Sequence, residues 1–390
     1  MNTELAIEEK RKISLVNIII FILFVITVLI GLGSTAYIMI NGHQVLALNN
    51  MVPWNIFVSA YMFFGLSASG ICMLNSFSHV FGIKNYQIID QRATILALIL
   101  LGTGVFSMAM HLGRPWQLYY ILLSPNFTAP VFWLIIVYTV YMAFLLIKLY
   151  LIYSNKSGAL KIVSRLILLY SICATGILGA FFGILYARPF WYGGITLAYV
   201  LLSAFLSGLA FFLVATVFGY RISGTEMSDK MKILLHKVGK IMALAAGSVL
   251  FVLIGRMVTG VVSGEPDYSI FLSGQFGLHF WILEVLVGLV LPIIIMIRNG
   301  VRRLTGPILA SVLVLVGIFV ARYTMVIGGQ LIQPLGVSMS FSSSIRLIEG
   351  VPHALYSPNA IEILFVLGLF GFVGFFYMVV NYLFGFFDEN

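Results

Sequence analysis

A chain of 390 residues that is 61% hydrophobic and only 9% charged leaves too little polar surface to cover a soluble domain of that size, and it belongs in a bilayer. Its net charge of +9 does not mark a nucleic-acid binder, because the basic residues are scattered between apolar runs and form no patch beside stacking aromatics. Cys72 and Cys173 both lie in apolar runs. An iron–sulfur cluster needs about four thiolates, so the chain is expected to hold no cluster and no metal of its own, with both thiols structural.

The polar N-terminus ends in Lys10-Arg11-Lys12 and gives way to an apolar run from Ile13 to about Ile40. That run is too long for a signal-peptide core and shows no small-residue cleavage pattern, so it is expected to remain as an anchor. Runs of about 20 apolar residues match a hydrocarbon core of about 30 Å. The chain offers ten, over 14–40, 54–81, 90–112, 130–152, 162–186, 195–219, 239–262, 278–297, 307–328 and 360–384. No connection between them is long enough for a soluble domain. The expected fold class is an all-α integral membrane protein, a single membrane domain over 1–390.

Basic residues sort into alternate loops, as orientation by positive charge requires. Lys10 to Lys12, Lys84 and Arg92, Lys148 to Arg165, Arg221 to Lys240, and Arg298 to Arg303 share one side, which predicts that both termini are cytoplasmic. The opposite loops hold little beyond Arg114, Arg188 and Arg346. Their stretches 41–53, 111–130, 263–277 and 329–358 are rich in aromatic, Pro, Asn and Gln residues and contain His43, His111, His279 and His353. Such a surface suits docking of a protein and entry of a ring-shaped ligand, and equally an aromatic interfacial belt.

An internal repeat aligns the second span with the sixth. Ala60-Tyr61 and Ser69-Gly70 recur at the same spacing as Ala198-Tyr199 and Ser207-Gly208. Gly113-Arg114, Phe132-Trp133 and Ala187-Arg188 then find counterparts in order in Gly255-Arg256, Phe280-Trp281 and Ala321-Arg322. This predicts a parallel duplication, with four-helix bundles over 54–186 and 195–328 flanked by helices 14–40 and 360–384. The small residues Ser69, Gly70, Ser207 and Gly208 would allow close helix approach.

Ionisable residues inside spans are costly in hydrocarbon and normally face a bundle interior with partners. Arg256 lies about 16 residues, roughly 24 Å, into its span, and Glu284 about six residues, roughly 9 Å, from the opposite end of the next. Arg322 reaches a similar level, so the three predict one polar site in the outer half. A salt bridge that only sets helix register is the alternative.

Pro53-Trp54, the stretch from Gly65 to Gly70, and His111-Leu112-Gly113-Arg114-Pro115 resemble the NrfD or polysulfide-reductase membrane-subunit family. So do Phe280-Trp281-Ile282-Leu283-Glu284 with Pro292, Ala321-Arg322-Tyr323 with Gly328-Gly329-Gln330, and Tyr356-Ser357-Pro358 with Glu362. The ten-span length is similar to the longer branch of that family. The resemblance implies a respiratory subunit in the cytoplasmic (inner) membrane. Its expected partners are a ferredoxin-like iron–sulfur subunit on the outer face and, beyond it, a molybdopterin or hydrogenase catalytic subunit. It further implies electron exchange with a quinone, menaquinone or ubiquinone, with neither haem nor iron–sulfur cluster in this chain.

A quinone head group needs hydrogen-bond donors at its carbonyls, a protonatable group nearby and an apolar opening for its tail. His111, Arg114, Trp54 and Asn55 at the outer ends of spans three and two are the candidate quinone-binding residues. Glu284, Arg256 and Arg322 are the candidate proton-handling, catalytic residues, and Glu362, His279 and Gln330 are secondary candidates. Several have a plainer reading: Asn359 and Glu362 form a capping box, Arg114 anchors a lipid phosphate, and His111 is a solvated or capped interfacial residue; a haem ligated by His111 and His279 is the cofactor alternative. A secondary transporter and a purely structural anchor remain as functional alternatives.

Overall fold

The computed structural model describes residues 15–154, 156–265, 267–298, 304–331, 345–348, 351–354 and 356–384. Ten helices in it are long and apolar enough to span a membrane. They are α1 (Leu15–Asn41), α2 (Ile56–His79), α3 (Lys84–His111), α4 (Pro130–Tyr153), α5 (Ser157–Gly183), α6 (Gly194–Ser223), α7 (Asp229–Val262), α8 (His279–Arg298), α9 (Thr305–Leu331) and α10 (Ala360–Phe384). Lys10, Arg11 and Lys12, with Arg302 and Arg303, lie outside the described residues.

The apolar runs locate every span, and the largest departure is the start of α7. Ser228 caps it, accepting a hydrogen bond from the Met231 amide, so the helix begins at Asp229 and not near 239. At 34 residues α7 is about 51 Å long, well beyond the hydrocarbon core, so one end of it projects into the interfacial region. Arg256 therefore lies further along its helix than the expected depth, because the polar first turns are helical too. The loop after α9 also departs from an all-helical reading: Ile345–Ile348 and Val351–Ala354 pair as a short antiparallel hairpin, with Arg346 opposite His353 in register.

Helices α2, α3, α4 and α5 close one ring of contacts and α6, α7, α8 and α9 a second, while α1 packs on α10. The rings meet where α2 crosses α6. A Cβ on Gly208 would sit 2.4 Å from the Gly70 carbonyl carbon, so only glycine permits the approach, and the Ser67 hydroxyl donates to Ser207 across it at 2.8 Å. Glycine similarly brings α8 to α9, where Gly288 and Gly317 touch backbone to backbone.

Two of the cations assigned above to loops, Lys148 and Arg92, are instead buried in the bundle. Lys148 of α4 and His79 of α2 hold Asp90 at 2.6 and 2.7 Å, and Arg92 donates to the Tyr220 hydroxyl at 2.7 Å. Lys148 is 2% exposed, and burial is tolerable because Asp90 supplies the opposite charge in contact. This cluster ties α2, α3 and α4 together at the lysine-rich end of the bundle.

Candidate functional site

The candidate residues resolve into two polar clusters, one at the His111 end of the bundle and one deeper in the second ring. The first is built on Asn55, the N-cap of α2, whose Oδ1 accepts from the Phe57 amide at 3.1 Å. With that end satisfied, its Nδ2 donates to Glu362 Oε1 at 2.9 Å, and Oδ1 lies 3.2 Å from His111 Nδ1. An amide oxygen only accepts, so His111 carries its proton on Nδ1 and presents Nε2 as an acceptor. Asn55 and Glu362 are fully buried while His111 keeps an exposed edge.

Glu362 is also the capping residue that the spacing predicts. Its Oε2 accepts from the Asn359 amide and its own amide donates to Asn359 Oδ1, both at 3.0 Å. One carboxylate thus caps α10 with one oxygen and orients Asn55 with the other. Tyr356, absent from the sequence candidates, closes this side by accepting from the Ile56 amide at 3.1 Å. Burial and the neighbouring Glu362 carboxylate both push its phenol well above the usual range.

Trp54 and Gln330 belong to the same end. Gln330 accepts from the Trp54 amide at 2.9 Å and donates to the Trp54 carbonyl at 3.0 Å, so a side chain pairs with that backbone as a neighbouring strand would. The Trp54 ring stacks on Trp191 at 5.3 Å, and Arg188 donates to the Gln330 carbonyl at 2.9 Å. Trp191 escaped the sequence reading because an aromatic in an outer loop carries no distinguishing signal, and Arg188 stood out there only by charge and in the repeat, without a role. Arg114 does not join them: it is exposed, and its side chain makes no hydrogen bond or ion pair among the described residues. Pro115 begins a separate helical turn immediately after it, with Arg114 at its N-cap position and no side-chain cap bond.

In the second cluster Glu284, Arg256 and Arg322 are 5%, 2% and 0% exposed, yet among the described residues no ion pair joins the carboxylate to either arginine. Tyr199 stands between the charges and donates its hydroxyl to Glu284 Oε1 at 2.7 Å. Arg256 lies over the Phe190 ring at 4.1 Å and donates to the Phe190 carbonyl. Arg322 donates to Ser203 Oγ at 2.8 Å, and its Nε and Nη1 have no partner among the described residues. In place of the register salt bridge considered above, each charge has its own neutral partner: Tyr199 for Glu284, Ser203 for Arg322 and the Phe190 carbonyl for Arg256. A cavity of about 10 Å³ lies among Glu284, Arg256, Tyr199 and Thr324, room for about one water and not for an aromatic head group. Tyr199 carried a signal in the repeat, as the counterpart of Tyr61, without a stated role. Ser203 carried none.

The backbone around this cluster is irregular. His279–Val290 at the start of α8 and Thr324–Gly328 in α9 are π-helical, a widened form that recurs at functional sites. Pro292, which has no amide hydrogen, sits where α8 has returned to α geometry. His279 packs against Phe276 at 5.4 Å and takes part in neither network.

The family model for polysulphide reductase, NrfD, matches residues 44–334, a stretch that contains both clusters except for Tyr356, Asn359 and Glu362. The chain belongs to the NrfD family. It is 25% identical to a selenate reductase subunit of Mesobacillus selenatarsenatis over 88% of this chain and 88% of that one. It is also 25% identical to the Hdr-like menaquinol oxidoreductase integral membrane subunit of Archaeoglobus fulgidus, over 98% of this chain and 97% of that one. A putative dimethyl sulfoxide reductase membrane subunit of Halobacterium salinarum is 24% identical over 74% and 72%. These NrfD-family relatives are subunits of oxidoreductases, and the length of the match leaves little of this chain outside it.

Proposed function

We propose that this chain is the quinone-reactive membrane subunit of a respiratory oxidoreductase complex, exchanging electrons between the quinone pool and an iron–sulfur subunit docked at the His111 end. The observation that carries the reading is the buried Asn55 side chain, which fixes His111 on one side and Glu362 on the other. A quinone brings two-electron, two-proton chemistry to such a site. His111 fits it because Nδ1 is committed to Asn55, leaving Nε2 at a partly open edge to exchange a hydrogen bond or a proton with the ligand. Asn55 holds the imidazole in place, and Glu362 holds Asn55. Trp54, stacked on Trp191 and clamped by Gln330, forms a rigid aromatic wall beside them. The menaquinol relative supports a quinone of the menaquinone type.

Glu284 and Tyr199 would deliver or remove protons, since their cavity admits water but no ring. The iron–sulfur partner, a molybdopterin or hydrogenase subunit beyond it, and a cytoplasmic position for both termini complete the proposal. A transporter is less well supported: among the described residues the irregular stretches fall in α8 and α9 alone, without counterparts in α4 and α5.

The test is His111→Leu in the assembled complex reconstituted with a menaquinone analogue. Quinone turnover should fall about 10²–10⁴-fold with the partner subunits still bound. Wild-type turnover would refute the assignment, and loss of the partner subunits alone would favour a structural anchor.

A further inference from the structure

A cavity of about 400 Å³ lies at the opposite end of the molecule, between the turn Lys84–Ile89 that opens α3 and the first turns of α7. Lys84, Lys230 and Lys237 project into it from two separate segments, and no acidic residue lines it. None of the three makes a hydrogen bond or ion pair among the described residues, and Asp229, the nearest acid in sequence, is bonded to Lys232 at 3.2 Å. Apart from Asn85, the remaining wall is apolar, formed by Ile88, Ile233 and Leu234. Ile88 and Ile233 are 39% and 51% exposed, and Phe81 and Ile83, also exposed, precede Lys84.

Loop lysines that only set orientation can stand anywhere in a loop. Convergence of three on one apolar-walled cavity needs a further reason. The placement is also unfavourable by itself: Lys84 opens a helical turn and Lys230 is the second residue of α7, so both set a cation against the positive end of a helix. An anion in the cavity would relieve both conflicts, and exposed isoleucines beside it call for an anion that carries hydrocarbon. Basic pockets between spans with these features hold lipid head groups.

We propose that this cavity binds an anionic phospholipid, its phosphate held by Lys84, Lys230 and Lys237 and its acyl chains laid along Ile88, Ile233 and Leu234. Asn85, also in the wall, supplies a neutral donor to the head group. The site is independent of the quinone reading and stands or falls without it.

Native mass spectrometry of the full chain in detergent, titrated with phosphatidylglycerol or with phosphatidylcholine of the same acyl chains, tests the proposal. Phosphatidylglycerol should bind roughly tenfold or more tightly, and the triple variant Lys84→Gln, Lys230→Gln, Lys237→Gln should reduce it to the phosphatidylcholine level. The control triple Lys156→Gln, Lys161→Gln, Lys240→Gln should change binding less than twofold. Equal binding of the two lipids, or an equal loss in the control triple, overturns the proposal. Displacement of the lipid by an equal concentration of inorganic phosphate also overturns it and assigns the cavity to free phosphate. If the triple variant does not fold, Lys230→Gln carries the test: a loss of about threefold is expected, and no loss overturns the assignment.

Discussion

Replacing Glu284 by Gln removes a proton carrier while keeping the size and shape of the side chain. The amide oxygen can still accept from Tyr199, whose hydroxyl lies 2.7 Å from Glu284 Oε1, so the nearest contact survives. A hydrogen bond to a charged acceptor contributes about 1.5–3 kcal/mol and one to a neutral acceptor about 0.5–1.5 kcal/mol, so the variant should lose roughly 1–2 kcal/mol of stability. Arg256 keeps the Phe190 carbonyl and ring, and Arg322 keeps Ser203, so neither arginine is orphaned by the change. Assembly should therefore survive, while proton delivery through the cavity should not. In proteoliposomes containing the whole complex and a menaquinone analogue, turnover should fall about 10²–10⁴-fold, the range for loss of a general acid or base. Tyr199→Phe should give a smaller loss, because it breaks the hydrogen bond and leaves the carboxyl in place. An assembled Glu284→Gln complex with wild-type turnover and unchanged proton uptake would refute the relay. Collapse of assembly would show that the carboxylate holds the second ring together.

Three further outcomes are expected. Lys148→Met leaves Asp90 buried with His79 alone and should cost about 3–5 kcal/mol, whereas Lys148→Met with Asp90→Asn should recover most of it; thermal unfolding in detergent measures both. Gly208→Ala forces a methyl group against the Gly70 backbone, should cost about 1–3 kcal/mol by overpacking, and is read by the same assay. A reporter active only in the cytoplasm should work when fused after Asn390 and fail when inserted near Pro125, and the reverse would move the proposed docking face to the other side of the membrane.

Span positions were legible because a bilayer demands about 20 apolar residues wherever the chain crosses it, and such runs have no soluble counterpart. The start of α7 was not, because Lys230, Lys232, Lys237 and Lys240 break the apolar run while the helix continues through them from its Ser228 cap. Glu284, Arg256 and Arg322 stood out as charges in hydrocarbon, but the roles of Tyr199 and Ser203 did not, since a tyrosine in a span passes for an ordinary aromatic and a serine hydroxyl satisfies itself on its own helix. Each hydroxyl in fact meets one of those charges, Tyr199 the carboxylate of Glu284 and Ser203 the guanidinium of Arg322. Asn55 was picked as a hydrogen-bonding group near His111, while its bond to Glu362, 307 positions away, depends on tertiary contact. The π-helical stretches were likewise unreadable, because nothing local distinguishes Ile282-Leu283-Glu284 from ordinary helix until Gly288 meets Gly317.

The two clusters are joined by one helix. Arg322 lies in the regular part of α9, and Gln330 lies just past the π-helical stretch Thr324–Gly328. The first anchors to Ser203 of α6 and the second to the backbone of Trp54, so α9 has contacts fixed at both levels. The widened turn between them lets both be made at once, because an extra residue per turn changes the direction in which the later side chain points. Thr324, the first residue of that turn, itself lines the small cavity beside Glu284. A ligand that displaced Trp54 would pull on Gln330, and the far end of the turn next to Gln330 borders the cavity beside Glu284. A single irregular turn thus links the two clusters, held at one end by the aromatic wall and at the other by the buried charges.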